Sequence, residues 1–159
     1  MVEDKVPFAI IRARRAGARL AAVQALYQME QTGQSAKAAI RDLMDDRLGV
    51  GPDEQPVEEA DSDLFKAIVL AMVEHQSQVD KAILSRLSKG WKLSRLDSIS
   101  RAILRAGVAE MVAHTNLSRR ILLDEYVSLA HGFLDVTEAN FVNAVLDNIS
   151  KDLRPEEVA

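Results

Sequence analysis

IIRARRAGARLAAVQALYQMEQ, running from Ile10 to Gln31, is the stretch whose reading decides the fold. Leu20, Val23, Leu26 and Tyr27 recur at steps of three and four, the spacing of one face of a helix, and nothing in the run alternates as a strand would. Gly33 stands just past the last periodic residue, where helices commonly end, so the pattern predicts a helix over 10–31.

Outward from that helix the same period continues. Residues 1–9, with Pro7 and mixed charges, read as a flexible leader. Ser35 is a candidate cap for a second helix that buries Ile40, Leu43 and Met44 and reaches about Leu48, where Gly49-Val50-Gly51-Pro52 stops it. Residues 49–61 hold Gly, Pro and acids with almost nothing to bury, the composition of a mobile linker. A long apolar pattern follows, through Leu64, Phe65, Ile68, Val69, Met72, Val73, Val79, Ile83, Leu84 and Leu87, with one expected break at 76–80. Ser94 is read as a cap for a helix burying Leu96, Ile99, Ile103, Leu104, Val108 and Met111 and ending near His114. Ile121, Leu122, Tyr126, Leu129, Ala130 and Phe133 mark the next helix. Thr137 is read as the cap of the last, which carries Phe141, Val142, Val145, Leu146 and Ile149. The expectation is an all-α bundle of about seven helices, divided into an N-terminal helical subdomain (10–48), the linker, a C-terminal helical subdomain (62–152) and a tail (153–159).

With 48% hydrophobic but only 4% aromatic residues, the core must be built from Leu, Ile, Val, Ala and Met. The net charge of -4 conceals a division: residues 42–63 hold nine acids against Arg47 alone, a balance of -8, so the remainder carries +4. The absence of cysteine removes disulfides, thiolate metal sites and cysteine nucleophiles, and leaves the redox compartment open. The longest uninterrupted apolar run, Ala67 to Val73, is too short to span a membrane, and the apolar patch Val6 to Ile11 precedes its arginines, the reverse of a secretory signal. A cytoplasmic protein is expected.

Catalytic and metal chemistry find no footing. His75, His114 and His131 are scattered without an i+4 partner, and Gly49-Val50-Gly51 lacks the preceding strand of a nucleotide loop. Asp124 and Glu125 fall in the exposed phase of their helix, where a solvated face or a contact explains them better than acid–base work. Neither catalytic residues, metal nor cofactor is expected.

Charge in the first helix points instead to a polyanion. No acid occurs between Lys5 and Met29, a window that holds Arg12, Arg14, Arg15 and Arg19. Guanidiniums offer forked donors to phosphate and flat faces to unpaired bases. A merely solvated helix start is the alternative, but cations are unfavourable at that pole of the helix dipole and need a compensating partner. At 100° per residue Arg12, Arg15 and Arg19 share an azimuth with Val23 and Leu26, so the helix is expected to overhang the body or fray at this end, with Gly17 loosening it further. A second basic group, Lys89, Lys92, Arg95, Arg101 and Arg105, flanks Trp91. Trp91 is read as a joint packed between helices, and Tyr27 and Phe141 by default as core.

Arg19 with Ala22-Val23-Gln24-Ala25-Leu26-Tyr27, Trp91-Lys92-Leu93-Ser94-Arg95-Leu96 followed by Ile103-Leu104-Arg105 and Glu110, the run Ile121 to Ala130, and Phe141-Val142-Asn143-Ala144-Val145-Leu146-Asp147 together resemble the NusB family of bacterial transcription antitermination factors. The resemblance implies an all-helical RNA-binding adaptor that binds the boxA sequence of nascent ribosomal leader RNA together with NusE, a small-subunit ribosomal protein, and acts on RNA polymerase in the elongation complex. It implies RNA contacts at Arg12, Arg14, Arg15 and Arg19 and near Tyr27, Ser100 and Phe141, the two aromatics then being partly exposed. Ala16-Gly17-Ala18 interrupts an arginine cluster that the family often has denser, and some relatives form homodimers that would hide the RNA face. Two other readings stand beside it: an accessory domain like the N-terminal part of ribosomal RNA cytosine methyltransferases, opposed by a chain that ends at Ala159 without a cofactor domain, and a purely protein-binding bundle.

Overall fold

The computed structural model describes residues 6–46, 59–114 and 116–158. Seven α-helices occupy them: α1 (Phe8–Thr32), α2 (Ala36–Asp46), α3 (Ser62–Glu74), α4 (Gln76–Leu84), α5 (Ser98–Ala113), α6 (Arg119–Phe133) and α7 (Val136–Leu153). Short 3-10 turns lie at Leu93–Arg95 and Pro155–Glu157, and no strand occurs among the described residues.

α5 is the axis of the molecule, packing against α1, α3, α4, α6 and α7. Its residues are apolar nearly all round, as a helix enclosed by others must be: Ala102, Ile103, Leu104, Ala106, Val108, Ala109 and Met111 are all buried. Gly107 permits a close approach, since a Cβ there would sit 3.2 Å from the Leu146 side chain of α7. One apolar cluster runs from Ala18 through Phe65, Ile103 and Tyr126 to Ile149, so the helices before and after the linker share a single core.

Local chemistry moves several boundaries. Phe8 and Ala9 already belong to α1, because the Pro7 carbonyl accepts from the amides of Ile10 and Ile11; residues 1–5 of the expected leader lie outside the described residues. The expected end of the second helix at Leu48 also lies outside them, as does most of the expected linker, residues 49–58. Its end does not stand apart: the Asp61 amide donates to the Arg14 carbonyl at 2.9 Å, and a Cβ on Gly17 would meet the Ala60 side chain at 3.2 Å. Gly17 is therefore a close-approach point rather than a loosening of α1. The break after α3 falls at His75, one residue ahead of the expected interval.

Caps were misassigned from sequence where two candidates competed. Asp97, not Ser94, caps α5, its carboxylate accepting from the Ile99 amide at 2.9 Å and from the Ser100 hydroxyl; Ser94 lies in the preceding 3-10 turn. Asp135, not Thr137, caps α7 by accepting from the Glu138 amide at 2.8 Å. In both cases the carboxylate reaches an orphan amide of the first turn. Some apolar residues read as core stand at the surface: Val73, Leu84, Ile121 and Phe133 are exposed, and so is Trp91, which is no joint between helices.

Candidate nucleic-acid interface

α1 begins without a side-chain cap and without an acid in its first turn. Its arginines meet three different fates. Arg12 is exposed and donates through Nε to Glu125 at 2.9 Å. Arg15 is half-buried, and neither a hydrogen bond nor an ion pair engages it among the described residues. Arg14 is half-buried, with its carbonyl held by Asp61.

Arg19 departs from the expectation of an RNA contact. It is 2% exposed, and its guanidinium forks onto Glu110, itself fully buried, with Nε to Oε1 at 2.8 Å and Nη2 to Oε2 at 2.9 Å. The Tyr126 hydroxyl donates to the same Glu110 oxygen at 2.8 Å, and Glu125 approaches Arg19 at 3.9 Å. Burial by itself would lower the Arg19 pKa; the hydrogen bond and charge of Glu110 outweigh it and hold the guanidinium protonated. Burial, then the Glu110 charge, push the Tyr126 phenol well above its usual range. A charge on the core azimuth is thus accommodated by a buried counter-charge, and α1 neither overhangs nor needs to fray. The azimuth shared with Val23 and Leu26 was the signal for such a partner; Glu110 stands among the residues that carry the family resemblance, but nothing in the sequence pairs it with Arg19.

Arg12, Arg15 and Arg19 converge with Phe8, Leu117, Ile121, Asp124 and Glu125 on a cleft of about 300 Å³ between the start of α1 and the start of α6. Phe8 is 74% exposed and Ile121 49%. Sequence reasoning passed over the apolar half of this cleft because the hydrophobic period assigned Ile121 to the core and placed Phe8 in a leader.

Tyr27, Ser100 and Phe141 do not line that cleft. Tyr27 lies eight residues, about 12 Å of helical rise, beyond Arg19. Both Tyr27 and Phe141 are 41% exposed, so neither is core. Ser100 is buried, and its hydroxyl is taken by Asp97, which leaves it little to offer a ligand. At the start of α5 the Gln31 amide donates to the Ser98 hydroxyl at 3.4 Å, and the charge of Asp135, followed by burial and the charge of Asp97, raises the Glu138 carboxyl.

The second basic group divides, two of its five residues being engaged in ion pairs against α1 and α4. Arg101 bonds Glu30 and the carbonyls of Leu93 (2.9 Å) and Leu96 (2.7 Å), while Arg105 pairs with Asp80 at 2.9 Å and with Glu30 at 3.0 Å. Lys89, Lys92 and Arg95 stay at the surface, with the Arg95 guanidinium 5.3 Å over the Trp91 ring. Among the described residues no group of acids and histidines could hold a metal, and no helix is long and apolar enough to cross a membrane.

Residues 16–151 match the model of the NusB family. The transcription antitermination protein NusB of Hyphomonas neptunium is 64% identical over 151 residues, covering 95% of this chain and 98% of the relative. The protein of the same name from Maricaulis maris is 42% identical over 146 residues, covering 92% and 91%. Among solved structures, the antitermination factors NusB and NusE in complex with double-stranded RNA provide a similar chain, with a TM-score of 0.73 and 26% identity over 89% of this chain and 98% of that one. T. maritima NusB shares the fold at a TM-score of 0.75, 24% identical over 96% of both chains.

Proposed function

The chain belongs to the NusB family, and from that membership we propose that it is a transcription antitermination protein working as an RNA-binding adaptor with NusE, without a catalytic step of its own. The observation that carries this reading is the arginine cleft: in a chain of net charge -4, the exposed Arg12 and the half-buried Arg15 line a cleft at the end of the first helix that has no acid of its own. Phosphates are the ligand such forked donors suit best. Arg12, Arg14 and Arg15 are proposed as backbone contacts, and the half-exposed rings of Tyr27 and Phe141 as platforms for unpaired bases. Arg19 is proposed to act indirectly, by holding α1 against α5 and α6. The RNA is proposed to be boxA of a ribosomal leader, the process to be resistance of RNA polymerase to termination, and the compartment to be the cytoplasm.

The test is binding of a boxA RNA and a scrambled control at two salt concentrations, with and without NusE. Preference for boxA that NusE strengthens is the expected outcome. Equal affinity for both RNAs, unchanged by NusE, would overturn the reading. Replacing Arg15 by Ala should weaken binding and lower the slope of log affinity against log salt by about one, the signature of one lost phosphate contact.

A further inference from the structure

The groups around the arginine cleft divide into those that are already satisfied and those that are not. Arg12, Arg19 and Glu125 form one set of ion pairs. Four others face the same 300 Å³ space without a match: Arg15 and Asp124, neither engaged in a hydrogen bond or ion pair among the described residues, and the exposed side chains of Phe8 and Ile121. Arg15 and Asp124 carry opposite charges and line the same cleft, yet no ion pair within 4.0 Å joins them, and Phe8, Leu117 and Ile121 supply its apolar lining.

An occupant that satisfies all four must combine a phosphate-like anion, a hydrogen-bond donor and a flat apolar body in one unit. A nucleotide whose base bears an exocyclic amine has these parts. Resting on the RNA-binding reading above and deepening it, we propose that this cleft is a specificity pocket for one unstacked nucleotide of the bound RNA. The base lies against Phe8 and Ile121, its amine donates to the Asp124 carboxylate, and the adjoining phosphate is held by Arg15. A carboxylate accepts from the amino group of cytosine, adenine or guanine, whereas the corresponding position of uracil is a carbonyl that it repels. The pocket therefore discriminates against uracil at one position.

Binding of the full chain to a single-stranded boxA RNA, scanned with an abasic site and then with uracil at each position, tests this. In the wild-type protein one position should lose about tenfold in affinity on removal of its base, within the range for stacking of a base on an aromatic ring. In the double variant Phe8→Ala/Ile121→Ala the same abasic site should cost little, because the contact is already gone. Asp124→Asn should abolish the penalty for uracil at that position, since an amide can donate to the carbonyl. Phe8, Ile121 and Asp124 are exposed, so these variants should keep the wild-type circular dichroism and melting curve. If the double variant retains the full abasic penalty and Asp124→Asn retains the uracil penalty, the pocket is overturned while RNA binding stands. Loss of NusE binding in these variants with an unchanged RNA scan would equally overturn it, in favour of a protein contact. Failure of the wild-type chain to prefer boxA would instead bring down the functional reading itself.

Discussion

Arg19 and Arg15 lie four residues apart on one helix and should respond to mutation in opposite ways. Removing Arg19 leaves the Glu110 carboxylate buried with only Tyr126 to bond it, and loss of one partner of a buried pair costs about 3–5 kcal/mol. Arg19→Ala should lower the denaturant midpoint markedly, and Arg19→Lys should recover only part, because an ammonium cannot reproduce the two-pronged contact. Arg15→Ala should leave the melting curve within about 0.5 kcal/mol of wild type while weakening RNA binding. A melting curve for Arg19→Ala that superimposes on wild type would return that side chain to the list of free cations. Sequence places the two arginines on one stripe but does not separate the buried one from the other, since burial is decided by residues more than ninety positions away.

At the scale of the element, the helices were legible and their ends less so. The three- and four-residue spacing located the helical stretches, leaving 62–87 open between two helices and one bent one, because an amphipathic stripe must face a core whatever the topology. Caps and exposed apolar residues depend on what packs beside them. Ser94 and Asp97 both offer an oxygen, and only the geometry of the 3-10 turn before α5 decides between them. Asp97→Ala should cost about 1 kcal/mol, the usual loss for an N-cap, whereas Ser94→Ala should be close to neutral; thermal denaturation of the two variants distinguishes them. Tyr27 and Phe141 sit in an apolar phase of their helices yet are 41% exposed, which periodicity does not report and the family resemblance implied, while Trp91 lies in the loop before the 3-10 turn.

Across the molecule, ion pairs fasten one end of α1 to the central helix. Glu30, near the end of that helix, is held below the ordinary glutamate value of 4.5, first by its hydrogen bond to Arg101, against the effect of burial, and then by the charges of Arg101 and Arg105. A carboxyl depressed on folding contributes stability that is fully present above its unfolded pKa and is lost as pH falls through the lower folded value. Acid should therefore loosen the junction of α1 and α5. The stability gap between wild type and Glu30→Gln should be widest near neutrality and shrink below pH 4.5; a gap independent of pH would assign the effect of Glu30 to packing.

Arg154 sets an order of events. Its guanidinium, buried beyond the end of α7, donates to the carbonyls of Met111 at 3.1 Å and His114 at 2.7 Å and to that of Leu117, the groups that close α5 and lead into α6. During synthesis those carbonyls emerge from the ribosome some forty residues before the side chain that satisfies them. The central helix consequently stays open at one end until residue 154 has been made, and nascent chains arrested before it should be cut by protease between α5 and α6 where released chains resist.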